Sequence, residues 1–326
     1  MDTLTRNFAF APRVEMNITE LCNLRCEFCP RAHDYPNQNL HMSDDVLSEF
    51  MHSTEDIYRR HQKNIATFLI GRGEPTLHND FHSFIEKMYR FKKEQMKRHK
   101  FLKHPQVSII QTNGYKWQNW IPQIGHMFNQ IDFNCYPERT YAEYLEIKKE
   151  MAQYKNVVVH DRGTTGKNEH PTQTRTNTAG ETSKVIYNNR AGSIPDNIIP
   201  MHNLDDVKNL PCVKPFDMIY LDWDGEWRLC CNDWYDLISF GNIKDWSIND
   251  LLFHNDRFHE YRWRLMNGDR SLQVCNKCNQ KFNDDGWYAY WKHLKIRHND
   301  NKNPAWIDAT KKRVDLKNKF VYDIFE

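Results

Sequence analysis

No run of apolar residues in this 326-residue chain approaches the roughly 20 that a membrane-spanning helix requires. The opening nineteen residues, MDTLTRNFAFAPRVEMNIT, show no charged-then-apolar signal pattern. An excess of one charge is missing too. Lys and Arg number 45 against 43 Asp and Glu, and the resulting +2 argues neither for nor against a nucleic-acid partner. No internal repeat and no strong low-complexity segment interrupts the chain. These absences lead us to expect a soluble cytoplasmic protein with no membrane partner. With 39% hydrophobic and 13% aromatic residues, a sizeable core is within reach. The length suits one large α/β domain plus a smaller module.

Cysteine is plentiful and unevenly placed. Cys22, Cys26 and Cys29 lie near one end, Cys212, Cys230, Cys231, Cys275 and Cys278 toward the other, and Cys135 stands alone. A secreted disulfide framework is usually shorter and spreads its cysteines more evenly, so tight groups of this kind point to metal ligation in a reducing compartment. Cys135, at the end of an expected strand, reads as a small core residue.

Alternating, β-branched-rich runs at 13–18, 65–70, 107–111, 130–134, 156–160 and 184–187 predict strands. Helical patterns fall between them. One starts at Ser43-Asp44-Asp45, one at Asn79-Asp80, and a third runs over about 140–153. Strands alternating with helices indicate a parallel sheet, open or closed into a partial barrel, whose C-terminal edge collects the functional loops. The polar, Thr-rich stretch 162–183 predicts a long loop or flap. A Trp-rich, cysteine-bearing module follows at about 212–285, and the tail from 292 onward is basic.

The spacing Cys22-x3-Cys26-x2-Cys29 sits directly after the first strand. A fully ligated 4Fe–4S centre takes four cysteines, so three leave one iron open to bind something else. The alternative is tetrahedral zinc with His33 or His41 as fourth ligand. The motif resembles the signature of the radical S-adenosylmethionine (radical SAM) superfamily. That resemblance implies that the open iron chelates S-adenosyl-L-methionine. The reduced cluster then yields a 5′-deoxyadenosyl radical that abstracts a substrate hydrogen, and Phe28 packs near the adenine. Two further stretches agree, each after a predicted strand. In LIGRGEPTLH, Gly71 and Gly73 permit close backbone approach to a ligand, and Glu74 supplies a carboxylate able to face an ammonium. This stretch resembles the family's Gly-Glu-Pro motif, which contacts the cofactor's amino group. Thr112, Asn113 and Gly114 resemble its Thr-Asn-Gly segment, near the ribose.

The second cysteine group reads C-x12-G-x4-C from Cys212 through Gly225 to Cys230, then Cys275-x2-Cys278 after a 44-residue gap. Residues 216–231 predict a β-hairpin turning at Asp224-Gly225 that returns Cys230 beside Cys212. Four thiolates suit a zinc ribbon or a complete cubane equally well. The pattern resembles the auxiliary-cluster domain named SPASM, in the truncated "twitch" form with one 4Fe–4S cluster. Cys231 is a rival ligand, but Cys230 completes the spacing. Stretches 239–262 and 187–193 also resemble parts of these proteins. The implied architecture is α/β. It consists of a partial (β/α)6 TIM-like barrel over 1–200, a twitch domain over 201–285 and a basic helical tail over 286–326.

An auxiliary cluster with no open iron suits electron acceptance. The spacing is similar to that of the dehydrogenase type acting on 2-deoxy-scyllo-inosamine, which implies a two-electron oxidation of a sugar- or cyclitol-like alcohol. A general base is then required, and His160, Asp161, Tyr187 and Arg190 are the candidates. An electron donor such as flavodoxin or ferredoxin is implied as partner. The alternative is a peptide-modifying maturase. Those enzymes usually carry an N-terminal peptide-recognition domain, for which a first motif at residue 22 leaves no room. An alternative of another class is a metal-stapled nucleic-acid-binding protein, based on the eight Lys and Arg of 87–104 and on the tail. The bland reading of that stretch, a solvated helix face, is preferred.

Overall fold

The computed structural model describes residues 13–165, 174–176, 182–184, 189–195, 204–210, 212, 214–266 and 268–280. The Tyr187 candidate and the expected C-terminal helical tail lie outside the described residues.

The chain alternates strand and helix, as the sequence pattern predicts. β1 (Arg13–Met16) leads to α1 (Asp44–His61), β2 (Ala66–Leu69) to α2 (Phe81–Arg98), β3 (Val107–Thr112) to the short α3 (Ile121–Ile124), and β4 (Phe128–Cys135) to α4 (Tyr141–Met151) and β5 (Val157–Asp161). Local chemistry sets these boundaries. Ser43 caps α1 by accepting from the Val46 amide at 3.3 Å. Thr140 and Glu143 form a reciprocal capping box on α4. Within the stretch expected to be loop, β6 (Thr174–Thr176) and β7 (Thr182–Lys184) pair antiparallel, so that region holds a small hairpin of its own. Threonine's β-branching favours this over an irregular flap.

Past residue 204 the chain forms the short α5 (Lys214–Asp217), the hairpin β8 (Ile219–Leu221) and β9 (Glu226–Arg228), β10 (Ser239–Asn242), α6 (Ile248–Phe253) and α7 (Asp256–Met266). The hairpin turns where expected, with Gly225 at φ +85° and its amide donating to Asp222 at 3.0 Å. Its first strand starts later than the sequence suggests. Residues 214–217 are helical instead, and Pro215 suits the first turn of a helix, where no amide is needed.

All of these main strands join one sheet, in the order β10-β9-β8-β1-β2-β3-β4-β5. β8 lies parallel to β1, pairing Glu15 with Tyr220, and β1 through β5 are parallel in turn. The sixth parallel strand of the partial barrel therefore comes from the cysteine-bearing hairpin, which continues the barrel sheet. One face carries Val14, Met16, Leu69, Ile110, Ile131 and Phe133, packed with Leu47, Phe50 and Phe84 of the helices in a single core. The other, concave face carries Glu15, Gln111, Gln130, Asp132, Asn134, His160 and Tyr220, with Phe68, Ile109 and Val158 among them, related by the strand register. A buried sheet face this polar is unusual for core packing and marks the inside of the barrel as a site.

No helix among the described residues is long and apolar enough to cross a membrane. The basic stretch lies on α2 and the loop that follows it, and acids hold most of the helix's cations. Lys87 pairs with Asp44 at 2.6 Å, Arg90 with Glu86 at 2.9 Å, Lys97 with Glu94 at 2.5 Å and Arg98 with Glu55 at 3.1 Å. A face neutralised in this way attracts phosphate weakly. Lys92 points inward and donates to the Gln106 carbonyl at 3.1 Å, and burial pushes its pKa down to about 8. The unfolded chain holds that proton to about pH 10.4. Between these values the unfolded state binds more protons, so stability rises as the pH climbs from 8 toward 10. Lys92→Met is expected to stabilise the protein at pH 7 by about 1–3 kcal/mol and to flatten that rise. Urea melts at pH 7 and 9.5 measure both.

Candidate active site at the C-terminal ends of the strands

The three cysteines sit on the loop leaving β1. This loop is tied down at both ends. The Glu20 amide bonds the Leu40 carbonyl at 2.9 Å, and Met42 bonds Ile18 at 2.9 Å. Asn37 grips the backbone of Cys22 from both sides, at 2.9 and 3.0 Å. The Cys29 amide closes on the Cys26 carbonyl at 2.8 Å, and Pro30 starts a short 3-10 turn. Burial pushes the Cys22 thiol up to about 11 and also raises those of Cys26 and Cys29. Cys26 is pushed further by the carboxylate of Glu138. Thiols so placed ionise against a strong local cation, which a metal centre provides.

The histidines considered as zinc ligands are engaged elsewhere. His41 uses one nitrogen on Thr19 Oγ1 at 2.9 Å and the other on Asn39 at 2.8 Å. His33 Nε2 meets the Glu27 carbonyl at 2.6 Å. Among the described residues, no three His, Cys, Asp or Glu side chains stand close enough to grip one ion.

The loops after β2 and β3 close against this one. The sequence led us to expect that Gly71 and Gly73 admit a ligand. The structure shows a different need for them. A Cβ on Gly71 would stand 2.1 Å from Asn17 Oδ1, and one on Gly73 would stand 2.1 Å from the Thr19 carbonyl. Their small size lets the β2 loop lie on the segment leading to Cys22. Glu74 is buried and locks two loops together. It accepts from Thr112 Oγ1 at 2.6 Å, the Asn113 amide at 2.7 Å and Thr76 Oγ1 at 2.8 Å. Burial raises its pKa, and these hydrogen bonds oppose the rise. Asn113 reaches Asn23, between the first two cysteines, at 2.9 Å. Beside these groups lies a cavity of about 310 Å³ lined by Asn23, Asn113, Gly114, Asn134, Tyr136 and Glu138, among others. Phe28 packs on Tyr136 with ring centroids 5.4 Å apart. The cavity thus adjoins the cysteine loop, as a cofactor bound to an open iron requires. Tyr136 and Glu138 escaped the sequence reading, because only the fold brings the end of β4 to the loop.

At the other group, the Cys230 thiol is raised by burial and further by Cys231, Cys275, Cys278 and Cys212. This places the four expected ligands together. Cys275 and Cys278 flank a tight turn, with the Cys278 amide on the Cys275 carbonyl at 3.2 Å. Asn232 donates toward the Cys278 sulfur at 3.8 Å. Cys231 faces the other way. Burial raises its thiol pKa, and the nearby Glu15 carboxylate on the concave face raises it further, while Lys214 and Arg190 oppose the rise. This geometry favours Cys230 as the fourth ligand.

Of the base candidates, Asp161 closes the turn after β5, with one oxygen accepting from the Gly163 amide and from the Thr164 amide and hydroxyl, each at 3.0 Å. Arg190 lies between the two cysteine groups. It lowers the thiol pKa of both Cys29 and Cys231 and reaches Asn232 at 3.4 Å. His160 is buried on the concave face. Its Nε2 is 3.2 Å from Asp132 Oδ1, and its Nδ1 has no hydrogen-bond partner among the described residues. Asp132 was not singled out in the sequence. Its signal was a carboxylate on the polar side of an alternating strand, QIDFN.

Residues 212–279 match the SPASM family, described as an iron–sulfur cluster-binding domain. Among solved structures, BtrN in complex with AdoMet and 2-DOIA superposes with a TM-score of 0.61 at 17% identity, covering 84% of this chain and 94% of that one. BtrN in an open conformation gives 0.52 at 16% identity, covering 83% and 93%. The Streptococcus suis protein SuiB bound to its precursor peptide SuiA gives 0.47 at 11% identity, covering 79% and 68%, a likeness too distant to carry an argument. No curated protein matches the sequence. The matched C-terminal module is a SPASM-type iron–sulfur cluster-binding domain, and the chain as a whole shares the fold of BtrN.

Proposed function

We propose that this protein removes two electrons and two protons' worth of hydrogen from a secondary alcohol of a small, hydrophilic, cyclitol- or sugar-like substrate. The observation that carries this reading is the polar concave face of the barrel. Glu15, Asp132, Asn134 and His160 are each under 5% exposed there; Asp132, Asn134 and His160 hydrogen-bond to one another and to neighbouring groups, with His160 Nδ1 left unpartnered among the described residues, and a fixed polar wall of this kind suits a polar occupant. BtrN, whose fold this chain shares, was solved with AdoMet and 2-DOIA, and we take AdoMet as the cofactor here as well.

Cys22, Cys26 and Cys29 would hold one 4Fe–4S cluster, and Cys212, Cys230, Cys275 and Cys278 the other. When bound, these groups and S-adenosylmethionine supply a radical that takes hydrogen from carbon and an acceptor for the electron left behind. The chain's own residues do the rest. The Asn23, Asn113 and Tyr136 cavity holds the cofactor, with Phe28 packed at a tilt against Tyr136. Glu74 fixes the two loops that shape it. Asp132 orients His160 by accepting from Nε2–H, which leaves Nδ1 with a lone pair to take the hydroxyl proton. The concave face excludes bulk water from that transfer.

The test is anaerobic reconstitution followed by incubation with dithionite, S-adenosylmethionine and a panel of cyclitols and sugars. About eight irons per chain are expected from two cubanes. A ketone should form in step with 5′-deoxyadenosine, and deuterium placed on the oxidised carbon should appear in it. Deuterium transfer from a peptide, with none from any polyol, would overturn the substrate class.

A further inference from the structure

Arg72 stands two residues before Glu74 on the β2 loop, and its side chain is 2% exposed. It is surrounded by carboxylates from three different segments. Nε lies 2.9 Å from Glu20 Oε1, Nη2 pairs with Asp222 and Nη1 lies 2.7 Å from Asp236 Oδ1. Nη1 also donates to the Trp234 carbonyl at 3.0 Å. The second oxygen of Glu20 takes Arg31 at 3.1 Å and the Tyr35 hydroxyl at 3.0 Å. Arg31 returns to the Arg72 carbonyl through Nε at 2.8 Å. Asn17 donates to both Glu20 and Asp222, at 2.6 and 2.9 Å, and Arg228 approaches Asp222 and Asp236 at 3.4 Å.

The positions of these partners in the chain give the network its meaning. Glu20 precedes Cys22 by two residues, and Arg31 follows Cys29 by two. Asp222 and Asp236 bracket Cys230. We propose that Arg72 is a positioning residue, a buried clamp that fixes the three-cysteine loop against the hairpin carrying Cys230 and so sets how the two cluster-bearing parts face a common substrate. A guanidinium can meet several carboxylates at fixed angles because its donors lie in one rigid plane, whereas an ammonium is a single point charge. Networks of this kind are inefficient sources of net stability, since desolvation cancels most of the attraction. Their best-attested use is to hold one register against others. Here the register is that of two loops far apart in sequence, and neither has a direct covalent tie to the other.

This role rests on the function proposed above, but its main readout does not. In reconstituted full-length protein, Arg72→Lys keeps the charge and loses the fork. Hydrogen exchange is expected to quicken at least tenfold in 17–37 and in 219–240, with α2 unchanged as internal reference and with iron content retained. In the same samples, ketone formed per 5′-deoxyadenosine should fall at least tenfold, while total 5′-deoxyadenosine falls less than threefold. Unchanged exchange in both segments overturns the clamp, and so does an equal rise in α2, which would show a general structural role. If the lysine variant fails to fold, Asp236→Asn removes the most exposed arm alone. It should quicken exchange at least threefold in 219–240 while sparing α2, and no change there overturns the proposal. A wild type that makes no 5′-deoxyadenosine sinks the function proposed above and leaves the exchange result standing.

Discussion

Replacing any one of Cys22, Cys26 and Cys29 by Ala removes dithionite-dependent formation of 5′-deoxyadenosine to background and lowers iron by about half, because one of two four-iron groups is lost. The other half stays, since Cys212, Cys230, Cys275 and Cys278 lie on a separate set of backbone turns with their own hydrogen bonds. Iron analysis and chromatography of the reaction check both halves. Cleavage surviving in such a variant would mean that the loop after β1 is not the cofactor site. The fold is expected to tolerate the change. The loop is anchored by Asn37, Leu40 and Ile18 rather than by the thiols. Cys231→Ala is the control. Its thiol faces Glu15, so full iron content is expected.

His160→Gln is expected to leave 5′-deoxyadenosine formation in place and to lower ketone formation by about 10²–10⁴, the range that a positioned general base contributes. The reason is positional. His160 shares the concave face with Asp132 and Asn134, it is 3% exposed, and its Nδ1 has no hydrogen-bond partner among the described residues. Asp132→Asn should act in the same direction, because an amide can turn its NH₂ toward Nε2 and favour the tautomer with the proton on Nδ1. Product and 5′-deoxyadenosine counted together separate this from a general loss of activity. An unchanged ratio in the His160 variant would assign the proton to another group on that face, with Glu15 the next to change.

Much of the fold was legible because period-2 apolar runs and 3–4 spacings are local signals. The strand at 107–112, the Ser43 cap and the Asp224-Gly225 turn follow from a few neighbouring residues each. Local signals fail where geometry depends on distant partners. The glycines at 71 and 73 read as positions of close backbone approach, and only the fold shows that Asn17 and Thr19 occupy the space a Cβ would need. Glu74 read as a carboxylate able to face an ammonium, and only the fold shows that Thr112 and the Asn113 amide fix its position. The stretch 162–183 looked like loop, and part of it pairs with itself.

The sequence by itself determined the donor sets and the alternation of the main elements. Thiol spacing within a tight loop and apolar periodicity within one strand or helix are properties of adjacent residues. The tertiary structure decided what those parts face. It made the hairpin strand β8 the sixth parallel strand of the barrel, turned Cys231 away from its neighbour's partners toward Glu15, and set Asp132 against His160. It also gathered Glu20, Arg72, Asp222 and Asp236 into one buried network. Each of these depends on side chains tens to hundreds of positions apart, and only the closing of the sheet brings them within a few ångströms.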